Sequence, residues 1–115
     1  MAVALVMRIP ELDLERYGSM MAELALDVNP PAGLILHVAT DAVGAVNVVD
    51  LWQTPQAAEG FVESRLKPAL VAQRVKDPLS YRIEPLRNLW AADLDMIERI
   101  GSTSLPAGIR SSLAS

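Results

Sequence analysis

Apolar positions alternate from Ala2 to Ile9. Val3, Leu5, Met7 and Ile9 fall on one side, and Ala2, Ala4, Val6 and Arg8 on the other. Apolar side chains on both faces at its centre predict a strand covered on both sides. The period then lengthens: Leu14, Tyr17, Met21, Leu24 and Ala25 recur at helical spacing behind Asp13, a capping residue, and predict a helix to about Leu26. Gly18 weakens that helix locally, and Asn29-Pro30-Pro31 stops it because proline cannot continue a helix.

Alternation returns over Gly33 to Thr40 and Ala45 to Trp52, which predict two strands joined by a turn around Asp41 to Gly44. In the register that groups the aliphatics, Leu34, Leu36, Val38, Val49 and Leu51 share one face. Ile35, His37, Val48, Asp50 and Trp52 then share the other. Thr54-Pro55 opens a second helix with Ala58, Phe61, Val62 and Leu66 as its stripe. A shorter helix is expected to restart at Pro68, burying Leu70, Val71 and Val75, before a turn at Asp77-Pro78. Tyr81 to Leu86 predicts a fourth strand, placed at a sheet edge by Pro85, which has no N–H to give to a ladder. A last helix over about Ala92 to Ile100 presents Trp90, Leu94 and Ile97 and is capped by Gly101; the remainder to Ser115 reads as loose.

This order is the β-α-β-β-α-β pattern of a ferredoxin-like α+β sandwich. It predicts one domain over residues 1–88, with a C-terminal helix and tail over 89–115. Two helices cover one sheet face and leave the other bare. Ile35, Val48 and Trp52 on that bare face call for a cover, for which a second copy of the chain is the simplest candidate.

Composition removes whole classes of function. With 115 residues, 51% hydrophobic and 21% charged, the chain reads as one globular unit able to bury a core. Its net charge of −4, without a cluster of Lys and Arg, does not recommend nucleic acid as a partner. There is no cysteine, so disulfides and thiolate chemistry are out, and one histidine makes no transition-metal cage within a subunit. No stretch approaches the ~20 apolar residues of a membrane helix. The apolar run at Ala2 to Met7 is too short for a signal segment, with Arg8 on the wrong side of it, so a cytoplasmic protein is expected. Phosphate loops, dinucleotide fingerprints, zinc-protease helices and nucleophile elbows are all missing.

The hairpin resembles a known family. Gly33-Leu34-Ile35-Leu36-His37-Val38-Ala39, then Val48-Val49-Asp50-Leu51-Trp52-Gln53-Thr54 and a helix carrying Phe61, is similar to the antibiotic biosynthesis monooxygenase-like family of dimeric α+β barrels. The likeness covers Ala2 to Leu86. It implies a homodimer with a cavity for a small apolar, aromatic or polyketide-like molecule. It also implies oxygenation without metal or flavin. A proton-transfer step such as cyclisation or isomerisation needs only a positioned base and is equally compatible with the candidate residues. In oxygenating members the strand-three tryptophan lines the cavity, and Trp52 matches it. Those members often carry an asparagine four residues earlier on the same face, where this chain has Val48. Haem-degrading members use a histidine after the tryptophan, whereas His37 precedes Trp52. The closer likeness is to a branch with a histidine in strand two and Val-Val-Asp-x-Trp in strand three.

His37 and Asp50, on adjacent strands and one face, can act as an acid–base pair, or they can be a satisfied polar contact. Trp52 offers a flat wall to an aromatic ligand, or simply packs. Tyr17 can reach the same cavity with its hydroxyl, or remain core with its tip in water. Ile35, Val48 and Phe61 complete the expected lining, and no cofactor or metal is expected. A cavity packed shut by Ile35, Val48 and methionines favours a non-catalytic binding or assembly protein of the same fold. The C-terminal helix has a separate possible role, docking a partner through Leu94 and Ile97.

Overall fold

The computed structural model describes residues 1–76 and 78–104. Asp77 of the predicted turn and the tail over 105–115 lie outside the described residues. Four strands, β1 (Val3–Pro10), β2 (Leu34–Ala42), β3 (Ala45–Trp52) and β4 (Ser80–Pro85), form one sheet in the order β2-β3-β1-β4. Every pairing is antiparallel, and β4 lies at an edge as its proline requires. Helix α1 (Leu14–Leu24) links β1 to β2, and α2 (Pro55–Phe61) runs through a π-helical turn (Val62–Leu66) into α3 (Lys67–Ala72).

Local chemistry explains the boundaries. The Asp13 carboxylate accepts from the Arg16 N–H at 2.7 Å to start α1, and Ala25 in the left-handed region ends it, well before the prolines. The Thr54 hydroxyl caps α2 through the Ala57 N–H at 3.1 Å. The chain does not break and restart at Pro68, as the sequence predicts. Proline lacks an N–H and its ring would clash with the carbonyl four residues back. The turn therefore widens, with the Lys67 N–H reaching the Val62 carbonyl, and the helix passes through intact. Val71 is exposed and Ala69 buried in its place; Leu70 is buried and Val75 packs against the core. Similarly Leu14, expected on the buried stripe of α1, is exposed, and Met20 is buried instead.

One row of β1 sets the core. Val3, Leu5, Met7 and Ile9 are all nearly inaccessible and stand opposite Trp52, Asp50, Val48 and Val46. The helices cover this face. The hairpin register groups the aliphatics as predicted, with Leu36 opposite Leu51 and Val38 opposite Val49, but a bulge between Leu34 and Leu36 changes its end. Leu34 crosses to stand opposite Trp52 and pack on the core, and Ile35 becomes the extra residue, 45% exposed. The uncovered face is therefore not that of Ile35, Val48 and Trp52. It carries Val38 and Val49, 46% and 40% exposed, while Val48 and Trp52 face the helices.

Close approach fixes one glycine. At Gly33 φ is +90°, and a Cβ there would sit 2.9 Å from that of Ala57. The last helix, α4 (Leu94–Ser104), runs through Gly101 instead of ending at it, and Trp90, Leu94 and Ile97 on it or beside it are exposed.

Candidate active site

His37 on β2 stands directly opposite Asp50 on β3. Because cross-strand partners share a face, both side chains project beneath the helices, where the Nδ1 of His37 lies 2.6 Å from the Asp50 carboxylate. Among the described residues Asp50 is the one charged side chain in the core, 1% exposed, and the imidazole keeps 21% of its surface open. A buried carboxylate is tolerated only when paired and hydrogen-bonded, and His37 supplies the partner. From α1, the Tyr17 hydroxyl comes to 2.8 Å from the other ring nitrogen, Nε2. An unbroken chain Asp50–His37–Tyr17 thus links the buried β3 to the half-buried end of the first helix.

The three side chains border a hollow closed by Met7, Met20, Met21, Val48, Phe61 and Leu66. Its volume is ≈ 10 Å³, about what one water molecule requires. Val48 and Phe61 line it, as the sequence predicts. Ile35 does not, because the bulge turns it outward. Trp52 is fully buried behind the hollow and does not border it, its ring 5.2 Å from that of Phe61 and tilted by 38°. Among the described residues its buried indole N–H has no hydrogen-bond partner. Met7, Ile9, Met20, Leu24 and Leu26 also line the hollow, and sequence reasoning assigned them only to core or overlooked them. The alternation of Met7 with Leu5 and Ile9 carried the signal for the first. Among the described residues no group of three or more His, Cys, Asp or Glu could hold a metal ion, and no helix is long and apolar enough to cross a membrane.

The acidic surroundings act on Tyr17. Burial, then the carboxylates of Asp50 and Asp41, push its pKa from 10.0 up to about 12. The folded value lies above the unfolded one, so the contribution to stability is complete below pH 10 and is lost as the pH rises towards 12. Tyr17→Phe removes this alkaline limb. Between those two pH values the native protein is expected to lose about 1–2 kcal/mol more than the variant, discounted for the partly open ring. Urea unfolding of both proteins across that range measures it, and parallel curves would disprove it.

No protein-family model matches the sequence, and no curated protein does. Solved structures do match. A protein of unknown function from Nitrosomonas europaea aligns with a TM-score of 0.61 at 16% identity, over 80% of this chain and 96% of that one. A cofactor-independent oxygenase from Streptomyces nogalater, SnoaB, aligns with a TM-score of 0.57 at 16% identity, over 76% and 95%. A proposed antibiotic biosynthesis monooxygenase from Caulobacter crescentus gives 0.58 at 13%, over 75% and 91%. The chain has the antibiotic biosynthesis monooxygenase-like fold. In that ferredoxin-like fold the hairpin carrying His37 and Asp50 is one half of the sheet, and Tyr17 belongs to the helix that crosses it.

Proposed function

We propose that this chain is a small-molecule-binding enzyme that removes a proton from an aromatic or polyketide-like substrate without a cofactor, using the His37–Asp50 pair. The observation that carries this reading is the 2.6 Å contact between an imidazole with about a fifth of its surface open and a carboxylate with almost none. The carboxylate holds the ring in one tautomer and stabilises the imidazolium formed when a proton arrives. Similarity to SnoaB, a cofactor-independent oxygenase, supports the reaction class. A deprotonated, electron-rich substrate can add dioxygen as co-reactant, or can cyclise or isomerise and take the proton back. Exposed Val38 and Val49 on the open sheet face support a homodimer as the working form.

The test uses 1-phenylbutane-1,3-dione as probe, with exchange of its central methylene hydrogens for deuterium followed by NMR. The native chain is expected to accelerate exchange and His37→Ala to lose about 10²–10⁴-fold of that acceleration. The same loss is expected in His37→Gln, whose amide N–H can still pair the buried Asp50 and keep the chain folded. Undiminished exchange in either variant would remove His37 from the mechanism.

One observation favours a second reading, a non-catalytic binding or assembly protein: the hollow holds about one water. Methionine side chains are its most adaptable walls, and Met7, Met20 and Met21 all border it. Mass spectrometry of the natively purified protein separates the readings, since a retained aromatic molecule requires that those walls have opened.

A further inference from the structure

We propose that Tyr17, and not His37, is the group that touches the substrate: its hydroxyl takes the substrate's proton while passing its own to Nε2 of His37, and the site selects an uncharged, enolisable ketone. This rests on the proton-transfer reading above and adds to it the entry point and the substrate class.

A neutral imidazole has one donor nitrogen and one acceptor nitrogen. Nδ1 faces the Asp50 carboxylate, which only accepts, so Nδ1 carries the proton. Nε2 is therefore the acceptor, and the Tyr17 O–H donates to it at 2.8 Å. Both ring nitrogens are committed. A substrate that approached His37 directly would first have to break the bond to Tyr17. The phenol oxygen, by contrast, retains lone pairs beyond the bond it donates.

The step balances without an outside reagent. A C–H bond beside a carbonyl breaks, and its proton bonds to the Tyr17 oxygen. The former hydroxyl proton bonds to Nε2. The electron pair stays on the substrate as an enolate, and the new imidazolium lies between Tyr17 and the Asp50 carboxylate. Reversal at another substrate atom restores the protein and releases a tautomer, with no electrons gained or lost.

Charge sets the selection. Burial first, then the carboxylates of Asp50 and Asp41, disfavour negative charge at the Tyr17 hydroxyl. The same carboxylates repel an anionic substrate, and among the described residues no lysine or arginine lines the hollow to offset them.

Methylene exchange decides the matter, using 1-phenylbutane-1,3-dione and the same diketone bearing a carboxylate on its phenyl ring, with folding checked by circular dichroism and melting. Tyr17→Phe is expected to lose about 100-fold or more of the acceleration, as His37→Ala does. The charged probe is expected to be accelerated at least about tenfold less than the neutral one. If Tyr17→Phe matches or exceeds the native rate while His37→Ala is inactive, His37 is the direct base and the relay falls, but the proton-transfer reading stands. If the native chain accelerates neither probe, that reading fails and takes the relay with it. Equal acceleration of both probes overturns the charge selection.

Discussion

Trp52→Ala is expected to destabilise the domain by about 3–5 kcal/mol and to lower its melting temperature by roughly 10–25 °C. Trp52 is the largest of the fully buried side chains, stands opposite Val3 on β1 and Leu34 on β2, and stacks obliquely on Phe61. It also lies beside Gly33, whose missing side chain lets the loop approach Ala57 of α2. Alanine would leave a void where two strands, a helix and a loop meet, and none of these can collapse into it without breaking the pairing. Against a total stability of about 5–15 kcal/mol this is a large fraction. Trp52→Phe provides the control. It keeps an aromatic ring and removes a buried indole N–H that has no partner among the described residues, so its loss should be less than half that of alanine. Thermal and urea unfolding of both variants measure the difference. A tryptophan that acted only as a ligand platform would leave stability nearly unchanged on either substitution.

Asp50→Asn should leave the fold in place and reduce methylene exchange by about 10²–10³-fold. The amide oxygen can still accept from Nδ1 of His37, so the ring stays where it is. The amide carries no charge, so it stabilises an imidazolium far less than the carboxylate does at 2.6 Å. Nitrogen NMR of the imidazole gives an independent readout. The native protein should show the proton on Nδ1, and Asp50→Asn should show a mixture of tautomers. Exchange that survives this substitution at the native rate would assign the pair a purely structural role, as a buried polar contact that keeps the hairpin in register.

Much of this molecule is legible in its sequence. Alternation in Ala2 to Ile9 and in the hairpin, the caps Asp13 and Thr54, and the edge proline of β4 each express a local rule, and the structure follows them. The pairing of His37 with Asp50 was legible too, because across the turn expected around Asp41 to Gly44 only one register keeps the aliphatics together. What alternation cannot say is which face the helices will cover. The aliphatic set Leu36, Val38 and Val49 looks the more core-like, yet it is the uncovered one. The decision belongs to β1, which inserts between β3 and β4 and aligns its most apolar row with Val48, Asp50 and Trp52.

The sequence by itself determined the order of elements, the strand that would lie at an edge, and the fact that an imidazole faces a carboxylate across a hairpin. All of these depend on interactions between residues close in the chain or on a fixed period. Tertiary structure alone decided that Ile35 bulges outward, that Trp52 packs behind the hollow instead of walling it, and that Tyr17 reaches Nε2 from another element. It also decided that three methionines draw the cavity almost closed. Each of those outcomes depends on distances between segments that periodicity leaves free and that only the packing of helices on the sheet sets.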